Sequence, residues 1–266
     1  MTRTVGAVFF GLVLWGAWTV NVAAQNPQTQ IEIRDQLLSS DVGERSNALE
    51  KARRMGLARV SPQVRSALIE ALQREATLHR RRAVADRRGE SLPSLDDPEL
   101  LIRLASAVGE LRDPASIPAL AAALGNGFAV IRPLAAFGER AVPSVLAIES
   151  SPESGTGAVN HALITLRFIV EEAGARGGLS PSTLAELRRV AARRLATGEA
   201  ASPTTLWWAI DLAWMLDDPD LRQSVEALAT DTSEVIARGI TDPGLIEQTQ
   251  RRAADRMAGL PPLPRP

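Results

Sequence analysis

Imidazole is the side chain best suited to moving a proton near neutral pH, and this chain carries only two, His79 and His161. They lie far apart, with no carboxylate at metal-ligand spacing beside either. His161 opens an apolar helical stretch, where a packed or capping role is expected. The absence of cysteine excludes disulfides, thiolate nucleophiles, cysteine-based zinc or iron–sulfur sites and a lipoprotein anchor. A His-Glu-x-x-His helix, a Gly-x-Ser-x-Gly nucleophile turn and a phosphate-cradling glycine loop ending in Lys-Ser/Thr are all missing. Glu171-Glu172 and Asp217-Asp218 are adjacent carboxylates. Neighbours on a helix point about 100° apart, so neither pair shares a proton or a metal unaided. The first reads as a solvated face and the second as a helix cap. No catalytic residue, metal ligand or cofactor is therefore expected.

Recognition is better represented than catalysis. Trp207, Trp208 and Trp214 are the only tryptophans beyond residue 25. Leu206, Ile210, Leu212 and Ala213 supply the buried stripe of the same helix. Three indoles are hard to bury on one short helix, and an exposed tryptophan is a natural hot spot for a partner. Arg80, Arg81 and Arg82, with Arg87 and Arg88 nearby, form the densest positive charge. They read either as a solvated helix end meeting the negative end of the helix dipole or as an anchor for acidic partners or anionic headgroups. The formal net charge of −1 gives no reason to expect nucleic-acid binding.

These side chains must be positioned by helices. Hydrophobic residues make up 45% and charged residues 23%, which favours a folded chain. Ala, Leu, Arg and Glu dominate, all strong helix formers, while β-branched residues never alternate with polar ones over a long stretch. A tetrapeptide of the form apolar-x-Asp-Pro recurs as Leu95-Asp96-Asp97-Pro98, Leu111-Arg112-Asp113-Pro114, Leu216-Asp217-Asp218-Pro219 and Ile240-Thr241-Asp242-Pro243. The aspartates Asp97, Asp113, Asp218 and Asp242 are read as N-caps, accepting a bond from a first-turn N–H that has no partner inside the helix. Proline fits the next position, where its missing N–H costs nothing. Apolar stripes at spacings of three and four follow: Leu101, Leu104, Val108 and Leu111; then Ile117, Leu120 and Leu124; later Leu221, Val225 and Leu228. Val64, Leu68 and Leu72, then Leu163, Leu166 and Val170, and Leu184, Leu187 and Ala191 form similar faces. Helices of about ten to fifteen residues are too short to be stable alone and must stack.

The segment 97–148 carries Gly109, Asp113-Pro114, Ile117-Pro118, Gly138 and Val142-Pro143 in order. It resembles the HEAT-like repeat of bacterial proteins, in which a turn ending in Asp-Pro precedes a helix opening with Ile-Pro-x-Leu. Outside this segment the helix-pair rhythm continues with little motif. The resemblance implies an all-α fold, an α-solenoid or α–α superhelix of about five HEAT-like pairs over residues 31–259. It also implies a face that holds a protein or peptide. Such families include scaffolds, adaptors and a few chromophore lyases, so an enzyme with its site in the groove is the alternative.

The ends read differently. Arg3, the apolar run 5–20 and Val22-Ala23-Ala24 have the order of a secretory signal, with cleavage expected after Ala24. The run is shorter than the about 20 residues a membrane span needs. Retention as a membrane anchor is the alternative. Residues 25–30 form a polar lead and residues 260–266 a proline-rich, extended tail. The expectation is an exported, periplasmic or extracellular interaction module.

Overall fold

The computed structural model describes residues 26–90, 97–174, 178–198 and 202–259, the side chain of Arg87 excepted. The expected signal sequence (1–24), the tail (260–266) and Leu95-Asp96 of the first tetrapeptide lie outside the described residues. Those residues form thirteen α-helices joined by loops and short 3-10 turns, with no strand among them. The chain is all-α. It divides into two compact units, one up to Ala119 and the other from Leu120. The segment with the strongest repeat motif straddles that division.

The first unit contains α1 (Pro27–Leu37), α2 (Val42–Met55), α3 (Pro62–Arg87) and α4 (Pro98–Leu111). Helix α1 packs on both α2 and α3, and α3 packs on α4. Helix α1 starts at Pro27, capped by Asn26, whose side chain accepts the Gln28 N–H at 3.0 Å. Residues 27–30, expected as a lead ahead of the domain, are therefore its first turn. The cap-proline pair outweighs the polar composition there. Helix α3 is also longer than expected, at 26 residues. Between Pro62 and Gly89 there is no glycine or proline to stop it. Its buried side carries Val64, Leu68 and Leu72.

The second unit holds the short α6 (Ile131–Ala135) and α7 (Val142–Ser150), followed by α8 (Thr156–Gly174) and α9 (Pro181–Leu195). Then come α10 (Pro203–Met215), α11 (Pro219–Thr230), α12 (Thr232–Ala237) and α13 (Pro243–Met257). Helix α5 (Ile117–Ala122) spans the division. Helix α8 packs on α6, α7 and α10, while α13 packs on α10, α11 and α12. Each helix meets partners a short distance along the chain, which is consistent with solenoid-like stacking. Its core is aliphatic: Leu163, Leu166 and Ile169 of α8, Leu206 and Ile210 of α10, and Val225 and Leu228 of α11 are all fully enclosed.

The start signals have a common geometry. Asp97 accepts from the N–H groups of Glu99 and Leu100 (2.9 and 3.1 Å), and Asp113 from Ala115 (2.9 Å). Asp218 accepts from Asp220 and Leu221 (3.1 and 3.3 Å), and Asp242 from Leu245 (2.9 Å). Ser61, Ser180 and Ser202 play the same part ahead of Pro62, Pro181 and Pro203. The residue before the aspartate has its own role. Arg112 (φ 53°) and Asp217 (φ 51°) occupy the left-handed region, the only non-glycine residues described that do so. That conformation ends one helix and turns the chain into the next.

Buried ion pairs tie helices together in both units. In the first unit the guanidinium of Arg45 on α2 lies 2.6 Å from the carboxylate of Glu75 on α3, with the two side chains 1% and 0% exposed. Arg45 also donates to the carbonyls of Ser39 and Ser40, both at 2.9 Å. In the second, Glu149 of α7 accepts from Arg194 of α9 at 2.6 Å and also pairs with Arg193.

Candidate functional site

Helix α10 has the sequence Pro-Thr-Thr-Leu-Trp-Trp-Ala-Ile-Asp-Leu-Ala-Trp-Met, in which Asp211 is the sole charged residue. An isolated carboxylate in such a helix must find a cation if it is buried. Asp211 is 1% exposed, and two arginines of α13 converge on it. Arg252 donates from Nη2 to Oδ2 at 2.6 Å and from Nε to Oδ1 at 3.2 Å. Arg256 places its Nε 2.9 Å from Oδ1. Burial pulls the Arg256 guanidinium below its ordinary pKa, and although Asp211 opposes the shift, Arg252 and Arg167 add to it. Positive charge is thus crowded around one carboxylate.

This cluster holds two of the tryptophans. The indole N–H of Trp207 donates to the Thr249 hydroxyl at 2.9 Å, and that hydroxyl donates in turn to the Leu245 carbonyl at 2.7 Å. Arg252 donates to the Trp207 carbonyl at 3.2 Å and lies 4.9 Å above the ring of Trp208, at cation–π distance. Both rings remain half-exposed. Beside them is a shallow cleft of 280 Å³ lined by Trp207, Gln248, Arg251, Arg252 and Asp255. The result is an aromatic surface held from below, Trp207 through its N–H and Trp208 through the Arg252 guanidinium.

The third tryptophan is not part of this arrangement. Trp214, also half-exposed, sits near the other end of α10 under the guanidinium of Arg222 on α11, 5.1 Å from its ring centre. The arginine run belongs to the first unit. Arg80 and Arg81 are exposed and Arg82 half-buried on the last turns of α3. The aspartates Asp97, Asp113, Asp218 and Asp242 serve helix starts, as described above. Asp211, Thr249, Arg252 and Arg256 were not singled out from sequence. The lone charge in an apolar helix was the available signal for the first, but pairing across a separation of about forty residues carries none.

The remaining candidates for chemistry are occupied structurally. His161 places Nδ1 2.6 Å from the Leu124 carbonyl and meets Phe128 edge-on, with ring centres 5.0 Å apart. Glu171 is exposed and pairs with Arg167 at 3.1 Å, one turn away. Glu139 accepts from the hydroxyls of Ser180 and Thr183 at the start of α9, and these bonds hold its carboxyl below the ordinary glutamate pKa. Among the described residues no group of three or more His, Asp or Glu is placed to hold a metal, and no helix is long and apolar enough to cross a membrane. Compared with known proteins, the chain matches no family model, no curated protein and no solved structure.

Proposed function

We propose that the protein is an exported, non-enzymatic interaction module built from HEAT-like repeats, and that a protein or peptide partner docks on Trp207 and Trp208. The observation that carries this reading is the combination of exposure and anchoring at these two rings. Half-exposed indoles supply apolar contact area; the bond from Trp207 to Thr249 and the Arg252 guanidinium over Trp208 fix them before a partner arrives. Pre-fixed aromatic anchors lose little freedom on binding, and so contribute more to affinity than mobile ones. The export part of the reading rests on residues 1–24, and the repeat part on the motif of residues 97–148.

A crosslinked pull-down from the native envelope fraction tests it, comparing the wild type with the Trp207→Ala/Trp208→Ala double variant. A stoichiometric partner recovered by the wild type and by Trp214→Ala, but lost in the double variant, is the expected result. Recovery of no partner by the wild type would remove interaction as the favoured function. Equal recovery by the double variant would move the contact elsewhere.

A further inference from the structure

A second cleft lies in the first unit, independent of the tryptophan surface. It has a volume of 540 Å³, within the range of small-ligand sites. It is framed by the first turns of α1 and by the chain entering α3. The Ser61 N–H donates to the side-chain oxygen of Gln30 at 3.1 Å and ties these two helix starts together. Among the described residues its lining contains two guanidiniums, Arg34 and Arg59, and no carboxylate. Arg34 directs Nε and Nη2 at Asp35 (2.8 and 2.6 Å), so its charge is partly met. Among the described residues the Arg59 guanidinium and the Gln63 amide make no hydrogen bond or ion pair. The same cleft exposes Pro27 and the side chain of Ile31, which is 42% accessible and one of the few large aliphatics left to water. Cationic and amide donors beside aliphatic surface, with no acid among the described lining residues, match one ligand chemistry.

We propose that this cleft binds a carboxylate attached to a short apolar body, with the head on Arg59 and Arg34 and the body against Ile31 and Pro27. Two sources carry that chemistry, a free aliphatic acid and the C-terminal end of a polypeptide. Charge and aliphatic surface then contribute separately to affinity. The head-group term weakens with salt, and the body term tightens binding about fourfold for each buried methylene.

Isothermal titration of the purified protein with butyrate, hexanoate and octanoate tests the first source. The peptide Ala-Leu-Val, with a free or an amidated C-terminus, tests the second. The expected result is saturable binding that strengthens along the acid series, falls at least tenfold in Arg59→Ala and is partly kept in Arg59→Lys. In Ile31→Ala the dependence on chain length should flatten. Both positions are exposed, so the variants should keep the wild-type unfolding midpoint. Binding of octanoate without the free peptide identifies a free acid as the ligand; binding of the free but not the amidated peptide identifies a polypeptide end. No saturable binding of any probe, or binding indifferent to Arg59→Ala, overturns the proposal. Because the cleft and the tryptophans lie in different units, either reading can fail while the other stands.

Discussion

Glu75 and Asp211 are both buried carboxylates joining two helices, yet their surroundings differ. Glu75 meets a single guanidinium, that of Arg45, and neither side chain reaches water. Asp211 meets two, and both arginines keep an exposed edge of 7–9%. In the first unit this charge pair only joins helices: Arg45 turns inward, to Glu75 and to the carbonyls of Ser39 and Ser40. In the second, the arginine that satisfies Asp211 also reaches the surface and stacks on Trp208. A buried charge therefore costs most where it is enclosed, and becomes useful for recognition where its partner straddles the boundary with solvent.

That contrast predicts an order of effects. Glu75→Ala strands Arg45 with no route to water and is expected to destabilise the first unit by about 4 kcal/mol. Asp211→Ala also removes a buried partner, but Arg252 and Arg256 can turn outward, so a smaller loss of about 2–3 kcal/mol is expected. Urea unfolding of the two variants measures both, and a larger loss at Asp211 would break the comparison. Arg252→Lys keeps the charge but loses the forked geometry and the flat stacking face, with an expected loss of about 1 kcal/mol and weaker retention of any partner held at Trp208. Glu139 extends the series to an exposed carboxylate. Its folded pKa is depressed by Ser180 and Thr183. Its contribution is complete above the unfolded value of about 4.3 and is lost as pH falls through the lower folded value. Unfolding midpoints of wild type and Glu139→Gln should therefore differ at neutral pH and converge in acid. A constant gap across that range would remove the assigned cause.

The helix starts were legible because a cap and a proline leave a local signature. Asp97, Asp113, Asp218 and Asp242 each sit directly before a proline, and the same physics recurs at Ser61 and Ser202, which lack the full tetrapeptide. Stripe residues such as Leu104, Leu166 and Val225 were legible because burial follows helical periodicity. The extent of α3 was not, since nothing in a run of good helix formers says where stacking neighbours stop. The segment with the clearest repeat motif breaks into α5, α6 and several 3-10 turns, because Gly127, Pro133 and Gly138 interrupt it within twelve residues. Long-range charge pairs were invisible for a different reason. Arg45 and Glu75, or Asp211 and Arg252, look like ordinary charged residues until the fold encloses them. The tryptophan cluster stood out by composition, but only the α10–α13 contact separates Trp207 and Trp208 from Trp214.

The concentration of indoles on α10 has a spectroscopic consequence. Beyond residue 25 the chain has no other tryptophan and no tyrosine at all. Intrinsic emission from that part of the chain therefore comes from one helix of the second unit, while circular dichroism sums the helices of both. If the units melt separately, the two signals will trace different curves: loss of the first unit will be dark in fluorescence, and loss of the second will be bright in both. Arg252 above Trp208 and Thr249 on Trp207 also make the emission sensitive to the α13 contact, so the protein carries its own label at the surface where a partner is proposed to dock.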